Sequence, residues 1–286
     1  MRSTQSVLIA GCAAAAAFLV GAPAHAQGAG AWAGPWSGVY AGGRIGYDFL
    51  RGGKNERVLF DNNLDGGFGD TVRTPAGANA FGPGFCGGKA RGATPATGCR
   101  KDKDGLAWAV HFGTDFQPTN SGLVVGYVLD FGMSDAKDRV SAFSTTPAFY
   151  TLERRMKWSG SARARAGYAA GPILIYGTGG VALARIKNRF TTNNVANAFS
   201  STGNDDKFGY RVGGGVEYRL SRGFSVGTQY LYTRIGDSDY RVRAANSGTT
   251  SAANPFLLVN ANGTDFRRSR KQFATHDVAI TGSVRF

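Results

Sequence analysis

The sequence predicts an all-β protein, an eight-stranded antiparallel transmembrane β-barrel with long extracellular loops. Three observations carry this. Apolar and polar residues alternate with a period of two in eight separate segments, so each segment is a strand with one greasy and one wet face. Long and short connections between those segments alternate strictly. The large aromatics share one face while arginine, glycine and carboxylates share the other, the inverse of a soluble barrel.

Composition points the same way. Among 286 residues there are 43 glycines, 19 phenylalanines and 11 tyrosines. That mixture favours strands, because a glycine costs ~1 kcal/mol in a helix interior. A mean hydropathy of −0.20 would suit a soluble chain. A barrel escapes that test, since only alternate residues face lipid.

The first strand is expected from about Trp36 to Phe49, with Val39, Ala41, Ile45, Tyr47 and Phe49 opposing Tyr40, Arg44 and Asp48. A glycine-rich loop, 50–104, follows. The second strand, Gly105–Gln117, sets Leu106, Trp108, Val110, Phe112 and Phe116 against His111 and Asp115. After the short turn Pro118–Gly122, the third (Leu123–Met133) sets Leu123, Val125, Tyr127, Leu129 and Phe131 against Asp130. A loop, 134–151, leads to the fourth (Leu152–Ala169). There Met156, Trp158, Ala162, Ala164 and Tyr168 oppose Lys157, Ser159, Arg163 and Arg165. Gly171-Pro172 turns the chain into the fifth (Ile173–Lys187), which is apolar on both faces and has no readable phase. Beyond loop 188–207, the sixth (Phe208–Leu220) opposes Phe208, Tyr210, Val212 and Val216 to Arg211, Glu217 and Arg219. Ser221–Gly223 turns it into the seventh (Phe224–Ile235). Loop 236–271 precedes a closing strand that carries Asp277 on its polar face and ends on Phe286.

Dimensions agree with a membrane crossing. Phe208 to Tyr218, at ~3.3 Å per residue and a ~40° tilt, rises ~25 Å, the height of an apolar band. Eight strands enclose only enough room for side chains. The inward set by phase is Arg44, Asp48, His111, Asp115, Asp130, Arg163, Arg165, Arg211, Glu217, Arg219 and Asp277. Such charges need partners in a low-dielectric tube, so an ion-pair plug is expected, with a gated ion path as the competing reading.

The ends set the compartment. Arg2, the apolar run Val7–Val20 and Ala24-His25-Ala26 form an export signal, with cleavage between Ala26 and Gln27. Residues 1–26 are therefore a leader, 27–35 a short periplasmic segment and 36–286 the barrel. Leu8–Cys12 resembles a lipobox, but the apolar run before Cys12 is short for one. Of three cysteines, Cys86 and Cys99 remain after cleavage. An exported chain sits in an oxidising compartment, so they read as a disulfide.

The formal charge of +14 would fit nucleic acid. The basic residues are scattered over strands and loops, however, and an exported chain does not meet chromosomal DNA. Lipopolysaccharide phosphates are the expected partners, against a solvated surface without a specific ligand. Gly177, Gly179 and Ala182 mimic a dinucleotide fingerprint but lack the acidic residue about twenty positions on. Asp61, Asn63 and Asp65 mimic half a calcium loop whose last ligand position is Val72. With His111 and His276 on different strands and no nucleophile motif, no catalytic, cofactor or metal residues are expected.

The chain resembles the porin-superfamily outer-membrane proteins of α-proteobacteria, the eight-stranded, Opa-like and OmpA-membrane-domain-like barrels. The likeness rests on Trp36–Gly42, Ala162–Tyr168, Tyr176–Ala182 and the terminal Val284-Arg285-Phe286. It implies a monomer in the outer membrane of a Gram-negative bacterium with both termini periplasmic. It further implies that the Phe286 end is read by the barrel-assembly machinery, and that any external ligand meets the loops. A peptidoglycan-binding domain after the barrel is not expected. The role implied is envelope structure and surface interaction. The alternatives are a narrow channel for ions or small solutes and a lipopolysaccharide-modifying enzyme at the rim.

Overall fold

A computed structural model describes residues 36–50 and 55–286. The leader, Cys12, the Ala26–Gln27 cleavage site and segment 27–35 lie outside the described residues. In chain order the strands are β1 (Gly38–Phe49), β2 (Val58–Asp61), β3 (Gly84–Gly87), β4 (Lys89–Ala90), β5 (Cys99–Arg100), β6 (Gly105–Phe116), β7 (Leu123–Ser134) and β8 (Lys137–Ser144). There follow β9 (Ala148–Ala170), β10 (Ile173–Thr192), β11 (Asn197–Thr202), β12 (Asp206–Ser221), β13 (Phe224–Gly236), β14 (Arg241–Asn246), β15 (Thr264–Arg268) and β16 (Gln272–Arg285).

Eight of these close a barrel. β1, β6, β7, β9, β10, β12, β13 and β16 pair in that order, antiparallel throughout, and β16 returns to β1. Closure gives every one of the eight a partner strand on both sides, the condition for strands to stand in hydrocarbon. The period-two pattern decides which side chains face out: Ile45 lies between Ile280 and Trp108, and all three are exposed, as are Tyr127, Ile175 and Phe208. The opposite phase is buried. Leu174, Tyr176 and Thr178 point inward on β10 while Ile173, Ile175 and Val181 point outward, which resolves the phase that the sequence left open. The tight turn at Gly171 has φ +57°, a left-handed value that glycine adopts without strain.

The four long connections, 50–104, 134–151, 188–207 and 236–271, are not the plain loops that the sequence predicts. They contain β2–β5, β8, β11, β14 and β15. β11, β14, β15 and β2 form a separate four-stranded sheet, while β8 pairs with the upper half of β9 and takes β3 on its other edge. An aromatic core fills the space between them: Phe60, Phe81, Tyr150, Phe256 and Phe266, with Val140, Ala142, Leu152 and Val242. These parts form a head on the barrel, closed on one side by the Cys86–Cys99 disulfide.

One strand phase needs correction. The sequence alternation puts Met156 on the outward face of the fourth strand and Lys157 on the inward one. Met156 is buried at 3% exposure and Lys157 is exposed. The β9–β10 register shifts between Arg185 and Ile186, where Trp158 and then Met156 are the partners and Lys157 has none. A bulge residue there reverses the phase, so inward positions are odd below it and even above it.

Candidate functional site

The lumen holds the charges that the strand phase predicted. Asp130 accepts from Arg163 (2.7 Å), from Arg211 and from the Ser161 hydroxyl (2.5 Å). Arg165 pairs with Glu217 at 2.9 Å and lies 3.7 Å from Asp115. Its guanidinium sits 3.9 Å over the Tyr176 ring, a contact strengthened where water is excluded. Arg44 pairs with Asp277. Asp48 is buried on the same face at 2% exposure, and Arg219 lies at the short-turn end with its guanidinium over Trp36. Arg285, on the polar phase of β16 but not in the predicted set, bonds Asp115 (2.9 Å) and the Trp36 carbonyl (2.6 Å). Gly113 makes room for Tyr40: a Cβ there would lie 2.4 Å from the Tyr40 ring.

These side chains fill the tube. The space among Tyr40, Arg44, Asp130, Arg165, Tyr176 and Glu217 amounts to about 10 Å³, room for about one water. Apolar layers bound the charges: Trp36, Val124, Ala169 and Leu174 toward the short turns, and Met156, Ala184, Ile186, Ile235 and Phe273 toward the head.

A second buried charge cluster, which the sequence did not reveal, joins barrel to head. Arg268 donates to both Glu56 oxygens at 2.7 Å and to Asp138 at 2.6 Å. Arg154, fully buried, donates to Asp138 at 2.8 Å and to the Gln272 carbonyl at 2.6 Å. Burial works to raise the Asp138 carboxyl, but the Arg268 and Arg154 guanidiniums outweigh it and hold it well below the usual carboxylate range. Nearby Asp102 accepts from the Arg139 N–H, yet burial, aided by the Asp138 charge, pushes it up to about 6. Glu56, Asp102, Asp138 and Arg268 sit in segments with no readable period, and Arg154 lies at the far end of the fourth strand, so only pairing across long sequence distances reveals the cluster.

At the apex of the head an open cleft of about 270 Å³ is lined by Phe81, Tyr150, Phe256, Asn193, Asn194 and Asn254, among others. The motif mimics dissolve in this geometry. Gly177–Ala182 lies mid-strand in β10, paired on both sides. The Asp61 carboxylate is occupied by the Leu64 and Gly66 amides. His111 faces inward against the Ser283 hydroxyl (2.8 Å), whereas His276 bonds the Tyr230 hydroxyl (2.7 Å) near the half-exposed outer rings of Tyr230 and Tyr232.

Known proteins resemble parts of this chain in sequence. The 31 kDa outer-membrane immunogenic protein of Brucella melitensis is 32% identical over 133 residues, 46% of this chain and 55% of the relative. The 22 kDa outer membrane protein of Rhizobium leguminosarum is 34% identical over 89 residues, 31% of this chain and 38% of the relative. The chain thus spans about half or less of the curated relatives it matches. Among solved structures, OprG of Pseudomonas aeruginosa aligns with a TM-score of 0.48 and 10% identity, covering 87% of this chain and 97% of that one. The family model for the outer membrane protein beta-barrel domain matches residues 12–250. The chain is an outer-membrane β-barrel protein and belongs to that family.

Proposed function

We propose that the protein acts through its head, as a surface-interaction element of the outer membrane whose barrel is an anchor and not a conduit. The observation that carries this is the filled lumen, with two spaces of about 10 Å³ each, one beside Arg165 and Glu217 and one beside Asp48 and Asp277, amid mostly ion-paired charges, beneath four connections folded into one head with its own core. In this reading the long connections face outward and both termini are periplasmic, the arrangement of short inner turns and long outer loops usual for such barrels. Relatives named outer-membrane immunogenic proteins support an exposed head. The apical cleft, with aromatic rings beside asparagine amides, is where an external ligand would sit.

Planar-bilayer recording of refolded protein tests the anchor. Silence is expected, unchanged by Arg163→Ala with Arg165→Ala, and stable unitary steps would overturn it. Orientation is tested separately by an impermeant maleimide on intact cells. Val195→Cys, at a position 93% exposed near the cleft, should label. Arg222→Cys, in the turn after β12, should not.

A further inference from the structure

The barrel wall is interrupted at one place. β7 pairs with β9 as far as Gly132 opposite Ser159, and β8 resumes the ladder at Lys137 opposite Arg155. Between these, residues 133–136 face 156–158 without pairing, and on the other side of β9 the bulge at Lys157 breaks step with β10. The gap opens a groove of about 360 Å³ in the outer wall, lined by Leu106, Trp108, Met133, Asp135, Arg155 and Lys157. That is the size of a small-ligand site, ~300–1,000 Å³.

Its two ends differ in chemistry. Leu106 (56% exposed), Trp108 (46%) and Met133 (42%) are the last outward apolar residues on β6 and β7. They continue the lipid-facing belt. Immediately headward, Arg155 and Lys157 form no ion pair among the described residues, whereas the neighbouring Arg185 and Lys187 are matched by Asp206 and Asp205. Asp135 is the one acid on the groove. Two cations without an ion pair, outnumbering the single acid, above an apolar slot at the level where hydrocarbon gives way to headgroups, complement an amphiphile with an anionic head.

We infer that this groove seats one phosphorylated glycolipid, its phosphate on Arg155 and Lys157 and an acyl chain along Leu106, Trp108 and Met133. The leaflet in which the lipid would be met rests on the outward placement of the head proposed above; binding in detergent does not, so the two can fail separately.

The test is binding of diphosphoryl lipid A to the refolded full chain in neutral detergent, read by native mass spectrometry and by intrinsic tryptophan fluorescence. The double variant Arg155→Glu/Lys157→Glu should weaken binding about 30-fold, which is about 2 kcal/mol or ~1 kcal/mol per basic residue. Arg222→Glu, an exposed charge in a short turn, should leave it unchanged. Dephosphorylated lipid A should bind at least tenfold more weakly, and inorganic phosphate alone should not compete. Equal binding by the double variant, an equal loss in Arg222→Glu, or competition by free phosphate would each overturn the inference. All three substitutions lie at exposed or half-exposed positions, and heat-dependent gel mobility verifies that the barrels have folded.

Discussion

Replacing Arg268 with alanine removes the centre of the cluster that fastens the head. Its guanidinium holds Glu56 through two parallel bonds of 2.7 Å, Asp138 through one of 2.6 Å and the Asp138 carbonyl through another of 2.9 Å. Asp138 keeps Arg154 after the change, but Glu56, whose side chain is fully buried, loses the partner of both its oxygens. Breaking one side of a buried pair costs ~3–5 kcal/mol, most of it the uncompensated charge left behind. Because the cluster lies above the membrane band, the loss should fall on the head alone. Urea titration in detergent, following near-ultraviolet circular dichroism of the aromatic core against far-ultraviolet signal of the barrel, would show the head transition displaced by that amount and the barrel transition fixed. Glu56→Gln in the Arg268→Ala background should recover much of the loss, since the stranded charge is gone. A shift of the head transition below ~0.5 kcal/mol, typical of a surface substitution, would refute the reasoning.

Three further outcomes are expected. Reducing Cys86–Cys99, which closes a loop with a sequence separation of 13, should cost the head ~3 kcal/mol in the chain-entropy account and open residues 88–98 to protease while the barrel stays resistant. The head should gain stability as pH falls from 7 toward about 4. Asp102, pushed up to about 6 from an ordinary 3.8, binds its proton more tightly folded than unfolded. Below that range the depressed Asp138 acts in the opposite sense and stability is lost, and Asp102→Asn should flatten the rise in urea midpoint between pH 7 and 5. Gly113→Val drives a side chain into Tyr40; overpacking of this kind costs ~1–3 kcal/mol, which refolding yield and thermal gel mobility would register.

The barrel was legible because lipid imposes a strict rule on alternate residues. β6 and β7 begin at Gly105 and Leu123 as the pattern predicts, and β12 and β13 differ from it by two residues or fewer at each end. The same rule placed Arg44, Asp130, Arg163, Arg165, Arg211 and Asp277 inward. It failed where the rule stops applying. Above Lys157 the interior turns from charged to apolar, so Ala148, Tyr150 and Leu152 point inward and Arg154 is buried among them. A pattern carried upward in the lower phase misplaces Met156 and Lys157 and stops the strand at Leu152, so that the residues before it read as loop. β14 and β15 are hidden for a related reason: Val242, Ala244 and Phe266 are their inward apolar residues, too few to outweigh the surrounding arginines. The Glu56–Arg268 pair, 212 positions apart, leaves no local trace at all.

The β9–β10 hairpin crosses the whole molecule. Its ladder runs from Ala170 opposite Ile173 to Tyr150 opposite Thr192, with one bulge on the way. A pull on the apex is therefore loaded in shear along one long hydrogen-bonded ribbon, the direction in which many bonds must break together. The head is a lever arm rooted in the bilayer and not a tethered flag. Rotation or strain at its tip is delivered to the wall at Lys157, the single point where that ribbon has slack.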